Sequence, residues 1–210
     1  MISDLSRAFF FGASDTKQIM GSWETKTFLN WWSVKCGFEE NQFKGNVYTD
    51  AGNRFEHPIL LSVDKNMVLD GQLFIPKYRL RVNYDGWKDG VIYECKTHRA
   101  DKPLEITDNH TYWKQCQVEM YCYQKAIQNT TLPPALPPIA KDKGKPYMYI
   151  VSYGLQPDEY YQERNVEIDA DRIKYHKIVY AKSWIKGEYL PRLKKLSKRL
   201  DKVVGEGFYG

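Results

Sequence analysis

Asp85-Gly86-Trp87-Lys88-Asp89-Gly90-Val91-Ile92-Tyr93-Glu94-Cys95-Lys96 decides how the rest of the chain is read. A strand-like run, Arg79 to Tyr84, leads into it, and a second run, Val91 to Thr97, leaves it. Side chains on a strand alternate between faces, so Glu94 and Lys96, two positions apart, project the same way. Asp85 is expected at the mouth of a tight turn between the strands. Two carboxylates and one ammonium can then converge on one point. Paired acids hold a hard divalent cation through oxygen, and a lysine beside them can position a metal-bound water and assist its deprotonation.

Composition bounds the alternatives. A chain of 210 residues suffices for one substantial core, and one domain over 1–210 is expected. No run of eighteen apolar residues exists, so no membrane-spanning segment is expected. The start, Met1-Ile2-Ser3-Asp4-Leu5-Ser6-Arg7, does not read as a secretory signal, which points to a cytoplasmic location. The four cysteines, Cys36, Cys95, Cys116 and Cys122, lack C-x-x-C spacing and argue against a zinc or iron–sulfur site. His57, His98, His110 and His176 show no mutual metal-binding spacing. A net charge of +5 permits nucleic-acid binding without establishing it.

Outward from the hairpin, Ala13 to Thr16 opens a short helix capped by Ser14 or Asp15. Glu24 to Cys36 reads as a helix stopped at Gly37. Tyr48 to Leu61 reads as a third helix capped by Thr49 or Asp50, with Gly52 and Glu56 one turn apart and a break or bend expected at Pro58, just after Glu56. Met67 to Ile75, Tyr78 to Tyr84 and Val91 to Thr97 form an antiparallel meander, punctuated by Gly71, Pro76, Gly86 and Gly90. Thr111 to Asn129 is a helix, with Trp113, Gln117, Met120, Tyr121 and Gln124 on one stripe. The loop from Thr130 to Lys145 is stiffened by Pro133-Pro134 and Pro137-Pro138. Tyr147 to Tyr153 and Asn165 to Ile168 read as strands. Asp169 caps a last long helix from Ala170 to about Leu200, interrupted between Gly187 and Pro191. The fold class is α/β, a mixed central sheet flanked by helices.

Glu56, Asp85, Glu94, Lys96, Gln117 and Tyr121 share one chemical logic. A glutamine and a tyrosine on an apolar helical stripe need something polar to face, and the back of a metal site is one such environment. In this order the residues resemble the PD-(D/E)xK nuclease superfamily with its restriction-endonuclease-like core. They resemble its lambda-exonuclease (YqaJ-type viral recombinase) branch more closely, over roughly Arg7 to Trp184. Gly52-Asn53-Arg54-Phe55-Glu56 matches the branch's G-x-x-x-E helix, and Glu94-Cys95-Lys96 reproduces E-x-K. Asn83-Tyr84-Asp85-Gly86 fills the S-P-D-G slot, with Asn83 for a small hydroxyl and Tyr84 for the proline. Lys114-Gln115-Cys116-Gln117 followed by Met120 resembles the A-Q-V-Q helix, and Gln117 to Tyr121 also fits the Q-x-x-x-Y of RecB-type nucleases. Arg7, ahead of Ala13-Ser14-Asp15, stands where the branch has its phosphate-binding arginine. Asp70-Gly71 is a competing Asp-Gly pair, one strand too early for the E-x-K spacing.

The resemblance implies roles. Asp85, Glu94 and the Cys95 backbone carbonyl would ligate one or two Mg²⁺ or Mn²⁺ ions, with Glu56 completing the shell directly or through water. Lys96 would orient the attacking water and offset phosphate charge. Gln117 would orient the water or Lys96, supported by Tyr121. Arg7 and Ser14 would bind a terminal 5′-phosphate, and Asn83 would donate to a phosphate. The implied activity is exonucleolytic digestion of linear duplex DNA from its 5′ ends. The exposed 3′ single strand would serve a single-strand annealing protein in phage-type recombination, in the bacterial host cytoplasm if phage-encoded, with the enzyme working as a ring-shaped trimer. A RecB-like or endonucleolytic member of the superfamily is the alternative. A non-catalytic DNA-end-binding protein is disfavoured, because clustered acids repel phosphate.

Overall fold

The computed structural model describes residues 8–42, 44–128, 137–162 and 166–205. Arg7, Asn165 and the first part of the proline-rich loop, 130–136, lie outside these residues.

A 3₁₀ turn, Ala13–Asp15, runs into α1, Thr16–Met20. The turn is closed by the Asp15 carboxylate, which accepts from the Gly12 backbone N–H at 2.7 Å. Helix α2 spans Lys26–Lys35, with Thr25 Oγ1 accepting from the Phe28 N–H. Helix α3 spans Val47–Val63. Its cap is Asn46 rather than Thr49 or Asp50, the Asn46 side chain accepting from the Tyr48 and Thr49 N–H groups at 3.0 Å. No break occurs at Pro58, and the helix runs through it. Proline removes one backbone bond there, but Phe55, Ile59 and Leu60 on either side are fully buried. Burial of about 1.5–3 kcal/mol per such side chain outweighs the missing bond.

The meander follows as expected: β1 (Val68–Ile75), β2 (Leu80–Lys88) and β3 (Val91–Arg99), all antiparallel. The tight turn, however, is Asp89-Gly90, both at positive φ (50° and 79°), the conformation two-residue hairpins favour. Asp85 therefore sits inside β2 rather than at the turn. Helix α4 spans Thr111–Gln128. Strand β4 (Lys141–Asp142) makes a small hairpin with the start of β5 (Lys145–Leu155). Strand β5 lies parallel to β3, which makes the sheet mixed.

The expected long last helix divides. Residues Ile173–Val179 are β6, antiparallel to β5. Isoleucines, a valine and a tyrosine suit a strand, and the apolar spacing imitated a helical stripe. Asn165 lies outside the described residues, and 166–168 form no strand. Asp169 does cap, but only a 3₁₀ turn at Ala170–Arg172. The helix proper begins with α5 (Lys182–Trp184), passes through a π turn (Ile185–Tyr189) and continues as α6 (Leu190–Val204). The expected interruption is that π turn, with Pro191 tolerated in the first turn of α6.

Sheet order is β1-β2-β3-β5, with β6 on the far side of β5. Met148 and Ile150 face one apolar cluster with α1, α4 and α6, while Val151, Tyr153 and Leu155 face the other with α3. Helices thus cover both faces, as the α/β reading requires. Arg79, fully buried at the β1–β2 corner, pairs with Asp201 of α6 at 2.5 Å and ties the last helix to the sheet.

Candidate active site

The β2–β3 ladder ends at Gly86↔Tyr93. Beyond that pair the Cys95 N–H donates to Asp85 Oδ2 at 2.8 Å instead of to a strand carbonyl. The splay leaves Asp85 and Glu94 facing a common space at the middle of the sheet. On β3, Cys95 packs into the α3 cluster, while Glu94 and Lys96 turn to the other side, where α4 lies.

Lys96 Nζ donates to Glu94 Oε1 and sits 5.0 Å from the Tyr112 ring centroid. Gln115 Nε2 donates to Glu94 Oε1 at 2.5 Å and to Glu119 Oε1 at 2.8 Å. Glu94 is 3% exposed and Glu119 is fully buried, its second oxygen without a partner. On α3, Glu56 lies close enough to feel Glu94, Lys96 and Asp70.

Electrostatics follow from this crowding. Burial, and then the Glu94 charge, raise the Asp85 carboxyl well above its ordinary range. The same two causes, in the same order, raise Glu56 and Glu119. Burial pulls Lys96 down, but Glu94 and Asp85 outweigh it and hold it above its ordinary value, so it carries its proton at neutral pH. Several carboxylates thus compete around one ammonium, and a divalent cation at this point would offset the surplus. The donors are oxygens, which suit Mg²⁺ or Mn²⁺.

One residue joins unexpectedly. Asp70, at φ 57°, drops out of the β1–β2 ladder between Leu69↔Gly86 and Gly71↔Tyr84. Its carboxylate lies 3.1 Å from His57 Nε2. Glu56, His57 and Asp70 bring ligand atoms within 4.8 Å of one another and could hold a metal. His57 had no histidine at metal spacing in the sequence; its partners are acids from α3 and a neighbouring strand.

Two expected members are elsewhere. Gln117 donates to the Val179 carbonyl at 3.0 Å and accepts from the Ala181 N–H at 2.6 Å. It fastens the β6–α5 junction and does not orient Lys96. The reason is helical phase: Gln115 and Glu119, four apart, share one face of α4, and Gln117 lies about 200° away from Gln115. Tyr121 follows Gln117 and faces Tyr78, and burial, then Tyr78, raise its phenol. Gln115 stood in the sequence beside Gln117, and the signal for it was its own i, i+4 partner, Glu119.

The residues expected at a DNA end meet in part. The Phe11 backbone pairs with the start of β2, its N–H donating to Arg79 and its carbonyl accepting from Arg81. That brings exposed Ser14 and Asn83 to one cleft of about 520 Å³, which Trp31, Lys35 and Arg81 also line. Lys35 is committed to Asp15 at 2.7 Å and to the Phe10 carbonyl at 2.8 Å. The Arg81 guanidinium stacks on Phe10 at 4.9 Å. Asn83 accepts from Gln72 at 2.8 Å. Arg7 lies outside the described residues.

These features define an α/β chain whose mixed sheet carries two acids and a lysine on adjacent strands. No family model matches the sequence, and no curated protein matches it. Solved structures do. The chain is similar to an alkaline exonuclease, LHK-Exo from Laribacter hongkongensis, at 15% identity and TM-score 0.60, covering 96% of this chain and 94% of that one. It is also similar to a phage-related exonuclease from Haemophilus somnus 129PT, at 16% identity and TM-score 0.58, covering 95% and 96%. LHK-Exo in complex with dAMP aligns equally well, at TM-score 0.60. The chain has the fold of these exonucleases, which is the fold the motif resemblance implied.

Proposed function

We propose that this chain is a divalent-metal-dependent deoxyribonuclease that digests linear duplex DNA from its 5′ ends. The observation that carries the reading is the convergence of Asp85, Glu94 and Lys96 on adjacent central strands of an exonuclease fold. Asp85, Glu94, Glu56 and the Cys95 carbonyl would hold one or two Mg²⁺ or Mn²⁺ ions, which when bound lower the pKa of water and stabilise charge on the phosphate.

The chain's own groups do the remainder. Lys96, an ammonium held charged by Glu94 and Asp85, orients the attacking water and offsets negative charge developing on the phosphate. Gln115 fixes Glu94 from behind through its bond to Glu119. The Cys95 N–H fixes Asp85. Ser14, Asn83 and Arg81 bring hydroxyl, amide and guanidinium groups to the cleft they line, where a DNA end would sit, with Arg7 assigned there by resemblance. The resemblance also supports a recombination role beside a single-strand annealing protein, and a trimeric ring, which light scattering on the purified protein would measure.

The test is digestion of end-labelled linear duplex bearing either 5′-phosphate or 5′-hydroxyl, in Mg²⁺, Mn²⁺ or EDTA, beside covalently closed circles. Nucleotide release from the phosphorylated 5′ end, with metal and on linear DNA, is expected. Equal cutting of closed circles would move the protein to the endonucleolytic alternative. Binding without cleavage in either metal would leave a DNA-end-binding protein.

A further inference from the structure

On the flank of α4 opposite Gln115 and Glu119 lies a larger cleft, of about 1200 Å³. Its walls are the outer side of α4, the β4–β5 hairpin with the end of β6, and the turn from α5 into the π segment. Six lysines line it, Lys125, Lys141, Lys145, Lys177, Lys182 and Lys186, against a single acid, Asp108. All six are solvent-exposed. Lys177 is paired with Asp142 at 2.6 Å, which leaves the balance of the cleft strongly positive. Between the lysines lie the half-buried rings of Tyr78 and Tyr180, with the buried rings of Trp113 and Tyr121 behind them. The Tyr78 ring also lies 6.0 Å from Lys194 of α6, so the positive surface continues onto that helix. Gln117, bonded to Val179 and Ala181, locks one wall to α4.

We propose that this cleft is a second nucleic-acid site, separate from the carboxylate cluster, that takes single-stranded DNA; the proposal rests on the nuclease reading for the origin of that strand. Ammonium groups set around the two accessible rings of Tyr78 and Tyr180 match what a single strand presents, which is phosphates and unpaired base faces. A duplex hides its base faces in the stack and would use only the lysines. An acidic peptide would likewise leave the rings idle. An enzyme that digests one strand of a duplex leaves the other unpaired. A site on the far side of α4 can hold that strand without competing for the carboxylate cluster.

The experiment measures anisotropy of a fluorescent 20-nucleotide oligo-dT with the full chain in EDTA, where no cleavage occurs. Lys182→Glu/Lys186→Glu, both at exposed positions, should weaken binding at least tenfold. It should also reduce the slope of log affinity against log salt by about 1.4, roughly 0.7 for each phosphate no longer neutralised. Tyr180→Leu, which keeps apolar bulk but removes the ring, should weaken binding about fivefold with an unchanged salt slope. Lys26→Glu/Lys65→Glu, a matched charge change away from the cleft, should leave affinity within twofold, and circular dichroism checks that each variant is folded. Oligo-dT affinity unchanged in the Lys182/Lys186 variant overturns the proposal. So does insensitivity to Tyr180→Leu together with equally tight, cleft-dependent binding of a polyglutamate peptide, which would make this an acidic-peptide site. Duplex digestion in Mg²⁺ without cleft-dependent oligo-dT binding sinks this inference alone; cleft-dependent binding without any digestion sinks the nuclease reading alone.

Discussion

Gln115 and Gln117 lie two residues apart on α4 and should fail in opposite ways. Gln115→Ala removes the donor that bridges Glu94 (2.5 Å) and Glu119 (2.8 Å). Glu119 is fully buried and already has one oxygen without a partner, so loss of Gln115 leaves Glu94 without its backing. Loss of a group that orients a metal ligand typically costs about 10–100-fold in activity or metal affinity, or about 1.4–2.7 kcal/mol of transition-state stabilisation. Gln117→Ala instead strands the Val179 carbonyl and the Ala181 N–H. An unsatisfied buried polar group costs about 1–3 kcal/mol, so a combined loss of about 3 kcal/mol is expected. For a chain of this size that lowers Tm by roughly 6–12 °C. The assay pairs single-turnover digestion of linear duplex in Mg²⁺ with thermal melts of both variants. Gln115→Ala strands the buried Glu119 carboxyl and should melt somewhat early too, but it should lose turnover even well below its Tm; Gln117→Ala should melt early and, below its Tm, cleave at near-normal rate. The reverse pattern below Tm, full turnover in Gln115→Ala and none in a stable Gln117→Ala, would refute the assignment.

Metal-free stability should depend on pH at the site. Asp85, Glu56 and Glu119 are raised above their ordinary values. The folded state therefore binds more protons than the unfolded chain, and the site's contribution falls as pH rises from the ordinary carboxylate range, near about 4, through the raised values. Melts in EDTA from pH 4 to 8 should show that decline, and Mg²⁺ should offset it most at the alkaline end; the same pH profile with and without Mg²⁺ would contradict this. Asp70→Asn should weaken Mn²⁺ binding, read by calorimetry, because Asp70 joins Glu56 and His57 in one group of ligand atoms; unaltered affinity would remove Asp70 from the site. Gly71→Ala places a methyl 1.7 Å from the Trp87 ring and should destabilise by about 1–3 kcal/mol or more, read from denaturant midpoints. Phe55→Ala, in the fully buried seam of α3, should cost about 3–5 kcal/mol in the same assay.

The parts legible in the sequence were those set by local periodicity. Alternation along β3 placed Glu94 and Lys96 together, and the short connections made β1, β2 and β3 antiparallel. The rest depended on tertiary context. Asp85 was expected at the mouth of the turn, and Asp70-Gly71 competed with Asp85-Gly86 for the ligand role. Asp89-Gly90 forms the turn, while Asp70-Gly71 lies within β1, its glycine filled over by Trp87 and its aspartate turned to His57. The glutamine choice turned on helical phase against a sheet not yet placed. Pairing with β5 makes 173–179 a strand; its β-branched and aromatic residues favoured one, but the apolar spacing imitated a helical stripe.

The most direct test of the central claim compares wild type with Asp85→Asn, in which an amide oxygen still accepts from the Cys95 N–H while one metal-binding negative charge is lost. On 5′-phosphorylated linear duplex in Mg²⁺, wild type should release nucleotides and the variant should do so at least about 100-fold more slowly with an undiminished Tm in EDTA. Equal rates for the two proteins would contradict the assignment of this site as the catalytic centre.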